Sequence, residues 1–261
     1  MSGLAYGVLR QVTPTAAVLL AENPGVMTLD GTNTWVLRAP GSSSCVVVDP
    51  GPLDAAHLGL LAAEAPVEVV LLTHGHSDHS DGAQAFGRQV DAPVRSVDPA
   101  FRLGGQGLSD GEVIEAAGLS IRVLATPGHT ADSVCFQLDD AVLTGDTVLG
   151  RGTTVVAHPD GKLGDYLESL RVLASLPVNT IGLPGHGPEL PDLVAVATGY
   201  LAHRQQRLAQ VKAAVEHLSA NGKPPTPRQV VELVYADVDR SLWPAAEWSV
   251  RAQLEYLLRT P

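Results

Sequence analysis

The residues with the clearest chemical purpose lie in His74-Gly75-His76-Ser77-Asp78-His79, where three imidazoles and one carboxylate fall within six positions. Along an extended loop, alternation sends His74, His76 and Asp78 the same way, while His79 turns off at the entry to a following helix. Neutral imidazole binds zinc, iron, nickel or copper, and carboxylate completes a site for zinc, iron or manganese. Four ligands so close exceed what one tetrahedral site normally draws from one loop, so the spacing points to ligands shared between two metals. One histidine in a turn would be read as solvated. Here five of the nine histidines occupy short turns flanked by Gly or Asp. The others are His129 in Thr126-Pro127-Gly128-His129-Thr130 and His186 in Pro184-Gly185-His186-Gly187-Pro188. Leu143-Thr144-Gly145-Asp146-Thr147 presents Asp146 in the same manner.

Each of these turns follows an apolar run that must hold it rigid. Val67 to Leu72 reads as a buried strand running into the histidine loop, and Gly82 to Val90 as a short helix leaving it. Strands are expected at Thr34–Ala39, Cys45–Asp49, Val94–Val97, Glu112–Ile114, Leu119–Leu124, Ser133–Leu138, Ala141–Thr144 and Val178–Leu183, with one or two more between Val8 and Leu20. Asp30-Gly31 is a hairpin signal. Helices are expected over Leu53–Ala65 and, with Asp165 as N-cap, over Asp165–Leu176. The Gly-rich stretch Leu149–Gly164, which contains His158, should border the cleft as a loop. Strands and helices in this order suggest two sheets packed between outer helices. After Pro191 the pattern becomes helical: a long helix from Asp192 to Leu218 stopped by Asn221-Gly222, a helix capped by Thr226 with Pro227 behind it, and a last helix that Trp243-Pro244 starts, over Ala245–Leu258.

Length and composition narrow the class. A chain of 261 residues with 45% hydrophobic and 4% aromatic content accommodates one large α/β domain, taken as residues 1–190, and a helical region, 191–261, around a core of Val, Leu and Ala. No apolar run reaches the length of a membrane span, and Met1 to Gly7 has no basic region followed by an apolar stretch. Cys45 and Cys135 lie in apolar runs and read as buried, reduced thiols, which fits a cytoplasmic protein. A net charge of −11 opposes general affinity for nucleic acid or anionic membrane. Residues 201–230 reverse it locally, with Arg204, Arg207, Lys212, Lys223 and Arg228 against Glu216, a pattern that reads first as a solvated helix face and second as a phosphate-binding strip.

His-x-His-x-Asp-His followed by PGHT, TGDT and PGHGP resembles the metallo-β-lactamase-fold hydrolase superfamily, from about Thr28 to Pro188. The resemblance implies a four-layer αβ/βα sandwich with a small all-α C-terminal extension. It implies one metal held by His74, His76 and His129, a second held by Asp78, His79 and His186, and Asp146 bridging both. Asp49 would orient a ligand imidazole from behind. Met27-Thr28-Leu29-Asp30-Gly31-Thr32-Asn33-Thr34-Trp35 is similar to the endoribonuclease and thioesterase branch, which would set Asn33 near the cleft as a hydrogen-bond donor to substrate. Ala202-His203-Arg204 with Arg207 matches a basic patch of that branch, and its tail resembles a winged helix. The sequence departs from that pattern in having no strands after the last helix to build a wing.

Two divalent ions, zinc first and manganese or iron as alternatives, set about 3.5–4 Å apart, hold a hydroxide between them and polarise the oxygen under attack. Asp78 would orient that hydroxide as well as bind metal, and His203 is a candidate proton donor to the leaving group. The reaction expected is hydrolysis, first of a phosphodiester in single-stranded RNA. The alternative is a thioester on an acyl carrier, coenzyme A or a glyoxalase-II-like small molecule. Persulfide oxidation at a single iron held by His74, His129 and Asp146, and β-lactam hydrolysis, rank below these. A homodimer is compatible with the sequence, and no membrane partner is expected.

Overall fold

The computed structural model describes residues 5–156, 158–219 and 223–259. The expected stop at Asn221-Gly222 and the first four residues of the N-terminal stretch lie outside these. Among the described residues, eleven strands form two sheets. In the first, β1 (Arg10–Gln11), β2 (Ala16–Leu20), β3 (Asn33–Leu37) and β4 (Cys45–Val48) are antiparallel neighbours, and β5 (Val67–Leu71) and β6 (Val94–Arg95) continue it in parallel. The second runs in the order β11 (Ile181–Pro184), β10 (Ala141–Gly145), β9 (Val134–Gln137), β8 (Leu119–Ala125), β7 (Val113–Ala116). Only its β10–β11 pair is parallel.

Alternation along the strands decides the layers. Trp35, Leu37, Val46, Val48, Val69 and Leu71 of the first sheet meet Ile121, Val123, Phe136 and Leu143 of the second in one core. Their neighbours on the other face of the first sheet, among them Val36, Val47 and Val70, pack on Leu58 and Leu61 of α1 (Ala55–Ala62) and Phe86 of α3 (Ala83–Val90). The far face of the second sheet offers Cys135 and Val142 to α4 (Leu163–Ala174) and α5 (Leu193–Leu218), through Tyr166, Leu170, Leu193 and Ala197. The result is the expected four-layer α/β arrangement. β4 and β5 are apolar on both faces because helices and the second sheet cover them.

One expected helix cap is replaced. α4 begins at Leu163, with Lys162 at the N-cap position, so Asp165 sits in the first turn and favours the helix through its charge there. The last helix, α7 (Trp243–Arg259), begins at the Trp-Pro pair as expected, since proline is accepted in a first turn. Thr226 caps α6 (Pro227–Val234) as expected, in a reciprocal capping box with Gln229. The tail has its own small core: Val211 and Ala214 of α5, Val230 and Val231 of α6, and Trp243 and Val250 of α7. Cys45 and Cys135 are both buried free thiols. Among the described residues, no helix is long and apolar enough to cross a membrane.

Phe136 is fully buried in the core between the sheets. Phe136→Ala should therefore lower unfolding free energy by about 3–5 kcal/mol in a denaturant titration, whereas substitution of the exposed Val178 should change it by less than about 0.5 kcal/mol.

Candidate metal centre

Five strands end at the same rim. β4 delivers Asp49, β5 the histidine loop, β8 His129, β10 Asp146 and β11 His186. The short helix α2 (Ser77–Ser80) carries Asp78 and His79, which explains why His79 turns away from His74 and His76. His74, His76, His129 and Asp146 offer ligand atoms mutually within 4.8 Å, and so do Asp78, His79 and His186.

The imidazoles are oriented from behind. His79 donates Nδ1–H to Asp49 Oδ2 at 2.8 Å, His129 to the carbonyl of Val155 at 2.6 Å and His186 to the carbonyl of Gly31 at 3.0 Å. The Thr73 hydroxyl donates to Asp49 Oδ2 at 2.6 Å, so its oxygen accepts from His74 Nδ1–H at 3.0 Å. Each anchor places the ring proton on Nδ1 and leaves the Nε2 lone pair facing the centre. His76 differs, presenting Nδ1 to the Nε2 atoms of His74 and His129, each at 3.0 Å. His79 Nε2 faces His186 Nε2 at 3.3 Å.

Asp146 stands between the two groups. Its Oδ1 is 3.5 Å from His79 Nε2, and its Oδ2 is 3.3 Å from His186 Nε2 and 3.7 Å from His129 Nε2. Asp146 Oδ1 is buried without a hydrogen-bond partner. Lone pairs converging on one another and an unsatisfied buried carboxylate oxygen both require positive charge between them, which divalent cations supply. The residues therefore fit metal. The side-chain electrostatics express the same demand. Burial opposes charge on His186, yet Asp146 and Asp78 outweigh it and lift its pKa to about 9. His79 is buried too, and Asp146, Asp49 and Asp78 still hold its pKa well above the ordinary value. His129 goes the other way: burial, only partly offset by Asp146, pushes it down to about 4. Burial would raise the Asp146 and Asp78 carboxyls, but the surrounding imidazoles hold both well below the carboxylate range.

Close packing fixes the shape of the centre. A Cβ on Gly185 would lie 2.5 Å from Asp146 Oδ1 and 2.7 Å from His79 Cε1, so only glycine fits there. Gly128 has φ +135° and passes so close to Tyr166 that a Cβ would sit 2.3 Å from its Cα. Asp49 accepts from the Thr73 amide and hydroxyl and from His79, which leaves it in the positioning role expected. Thr32, missed in the sequence, donates its hydroxyl to Asp78 Oδ2 at 3.0 Å. Its place two residues after Asp30 in the TLDGTN stretch was the available signal.

Asn33 is corrected. It is buried, and both hydrogens of its amide are engaged, to the carbonyls of Pro184 at 2.9 Å and Gly187 at 2.8 Å. It pins the turn carrying His186 and has no hydrogen left to offer a substrate. His203 stands apart from the histidine cluster, on α5, lining a cavity with Thr153, Thr154 and Val155.

The chain matches the Metallo-beta-lactamase superfamily over residues 27–186 and the Beta-lactamase associated winged helix domain over 226–260. It belongs to the metallo-beta-lactamase superfamily and is a hydrolase of that superfamily. The Drosophila melanogaster Beta-lactamase-like protein 2 homolog is 31% identical over 95% of this chain and 89% of its own. The Atrochrysone carboxyl ACP thioesterase of Aspergillus fumigatus is 34% identical over 79% of this chain and 67% of its own. In fold, the chain is similar to a metallo-beta-lactamase family protein from Thermus thermophilus, with TM-score 0.78, 24% identity and coverage of 95% and 94%. The described tail residues contain helices and no strand, as the sequence reading expected, although they match a winged-helix description.

Asp49→Ala frees the His79 ring from behind and should weaken metal affinity by about 10–100-fold. Competition with a chromogenic chelator measures this, and an unchanged affinity would remove Asp49 from the centre.

Proposed function

We propose that the protein is a dinuclear metal hydrolase that cleaves thioesters. The observation that carries the dinuclear reading is the meeting of two donor groups at one buried carboxylate, Asp146. His74 Nε2, His76 Nδ1 and His129 Nε2 would hold one ion, and Asp78 Oδ2, His79 Nε2 and His186 Nε2 the other, with Asp146 shared. Divalent ions held by these residues would supply Lewis acidity to the carbonyl and would lower the pKa of a bound water. The chain's own groups position that chemistry. Thr32 steadies Asp78 Oδ2, leaving Asp78 Oδ1 to orient the attacking water by accepting a hydrogen bond from it. The anchored Nδ1 atoms of His74, His79, His129 and His186 prevent ring rotation, so the donors are set before substrate arrives.

On sequence alone RNA ranks first as substrate. Three considerations favour the thioester instead. A relative 34% identical to this chain carries the name ACP thioesterase. The net charge of −11 disfavours a polyanionic strand. A thiolate, from a thiol of pKa about 8.5, departs without the proton donor that an alkoxide leaving group needs.

Elemental analysis of protein purified without a metal-binding tag should find about two divalent ions per chain, zinc being the leading expectation and manganese or iron the alternatives. About one iron per chain would favour persulfide oxidation. The metal-loaded protein should hydrolyse an acyl-N-acetylcysteamine thioester, and His76→Ala and Asp146→Ala should each reduce kcat/KM by more than about a hundredfold. Cleavage of single-stranded RNA with no thioester turnover would return the phosphodiester reading.

A further inference from the structure

Beside the metal centre, a cavity of about 200 Å³ lies between the 153–155 segment, α5 and the end of the tail. That segment touches the centre on its other side: Val155 accepts from His129, and Thr154 Oγ1 donates to the carbonyl of Asp146 at 2.8 Å. His203, Arg204 and Arg207 line the cavity from one helix, and Ser249 faces them from α7. Tyr235, Val238 and Leu242 supply an apolar wall.

The three basic side chains lack the partners that such groups ordinarily have. His203 Nδ1, Arg204 Nε and Arg207 Nε are all buried without a hydrogen-bond acceptor. Arg204 is only 5% exposed, and no carboxylate lines the cavity or pairs with either guanidinium among the described residues. Each arginine is held at its tip instead. Arg204 donates to the carbonyl of Thr154 and lies 5.2 Å from the centre of the Tyr166 ring. Arg207 donates to the carbonyl of Val234 at 2.7 Å and lies 4.4 Å from the Tyr235 ring centre. Buried guanidinium charge without an anion is costly, and aromatic faces offset only part of that cost. Burial and the two neighbouring guanidiniums lower the pKa of His203, so it adds a neutral ring.

We propose that this cavity is a substrate subsite that seats a phosphate group borne on the thiol arm of the thioester. Guanidinium groups match phosphate oxygens in charge and hydrogen-bond geometry, and a phosphate accepts from several directions at once. The apolar wall takes the uncharged part of the arm. A nucleic-acid strand fits less well, because it needs a track of basic groups along a surface, whereas these residues close on one small cavity. The inference deepens the thioester reading, but its binding test does not require turnover.

The test is calorimetric titration of the full-length, metal-loaded protein with phosphopantetheine and with pantetheine, which differ only in the phosphate. Wild type should bind phosphopantetheine at least about tenfold more tightly. Arg207→Gln should erase that difference. Because Arg207 also holds Val234, a second variant tests the same point without removing the contact. Ala245→Asp places a carboxylate in the cavity wall, pairs the guanidinium internally and should likewise erase the difference while the protein stays folded by circular dichroism. Phosphate bound to the metals instead would survive both substitutions, and that result would overturn the proposal. So would equal affinity of wild type for the two compounds, or Arg207-dependent binding of a ribo-oligonucleotide tighter than that of phosphopantetheine. With acylated forms of the same compounds, the ratio of KM values should collapse in both variants. Absence of turnover with either acylated compound would count against the thioester reading alone, since the titration still reports on the cavity.

Discussion

The centre depends on holding several like-natured donors in mutual opposition. Imidazole lone pairs at 3.0–3.3 Å from one another, beside carboxylate oxygens, do not stay together by themselves. Four of the five rings are kept there by anchors on their far side: a carboxylate for His79, a hydroxyl for His74 and backbone carbonyls for His129 and His186. Asp49 is the hub of this arrangement because it grips both His79 and Thr73, and Thr73 in turn accepts from His74. One buried carboxylate thus sets two rings. The rigidity that makes the site a good metal trap is built outside the ligands.

The sandwich supplies those anchors. Two sheets packed face to face bring the ends of β4, β5, β8, β10 and β11 to a common rim, and hydrogen bonds tie the turns there to one another. The Thr73 carbonyl accepts the Val134 amide at 2.8 Å, which ties the histidine loop of the first sheet to the second. The Gly185 amide bonds to the Gly145 carbonyl at 2.8 Å and locks the turns of Asp146 and His186 together. Asn33 adds a further clasp from β3 to the His186 turn. The ligands therefore move with the cores beneath them, not with solvent-exposed loops.

The helical tail enters the same logic from the other side. α5 begins as an outer helix of the second sheet and ends in the core of the tail, so the tail cannot shift without disturbing the catalytic layer. Arg204 is where the two meet: its head grips Thr154, which also bonds to the backbone of Asp146. A basic helix face that in isolation would be solvated is folded inward against the cleft.

Read without its fold, the chain already displays the donor set and the order of the elements. Histidines and aspartates in Gly-flanked turns after apolar strands are local features, and local features survive without knowledge of the fold. Asp49 as the support behind a ligand ring was legible for the same reason. What stayed hidden depended on long-range partners. Asn33 looked free to meet substrate because its partners, Pro184 and Gly187, lie 151 and 154 positions away in the chain. The anchors of His129 and His186 are backbone carbonyls, which every residue has and no side-chain pattern marks. The inward burial of Arg204 and Arg207 likewise required the tail to be packed, since helical spacing says which residues share a face but not what that face meets. Those points belong to the packed chain, because packing alone brings distant backbone and side chains within hydrogen-bond reach.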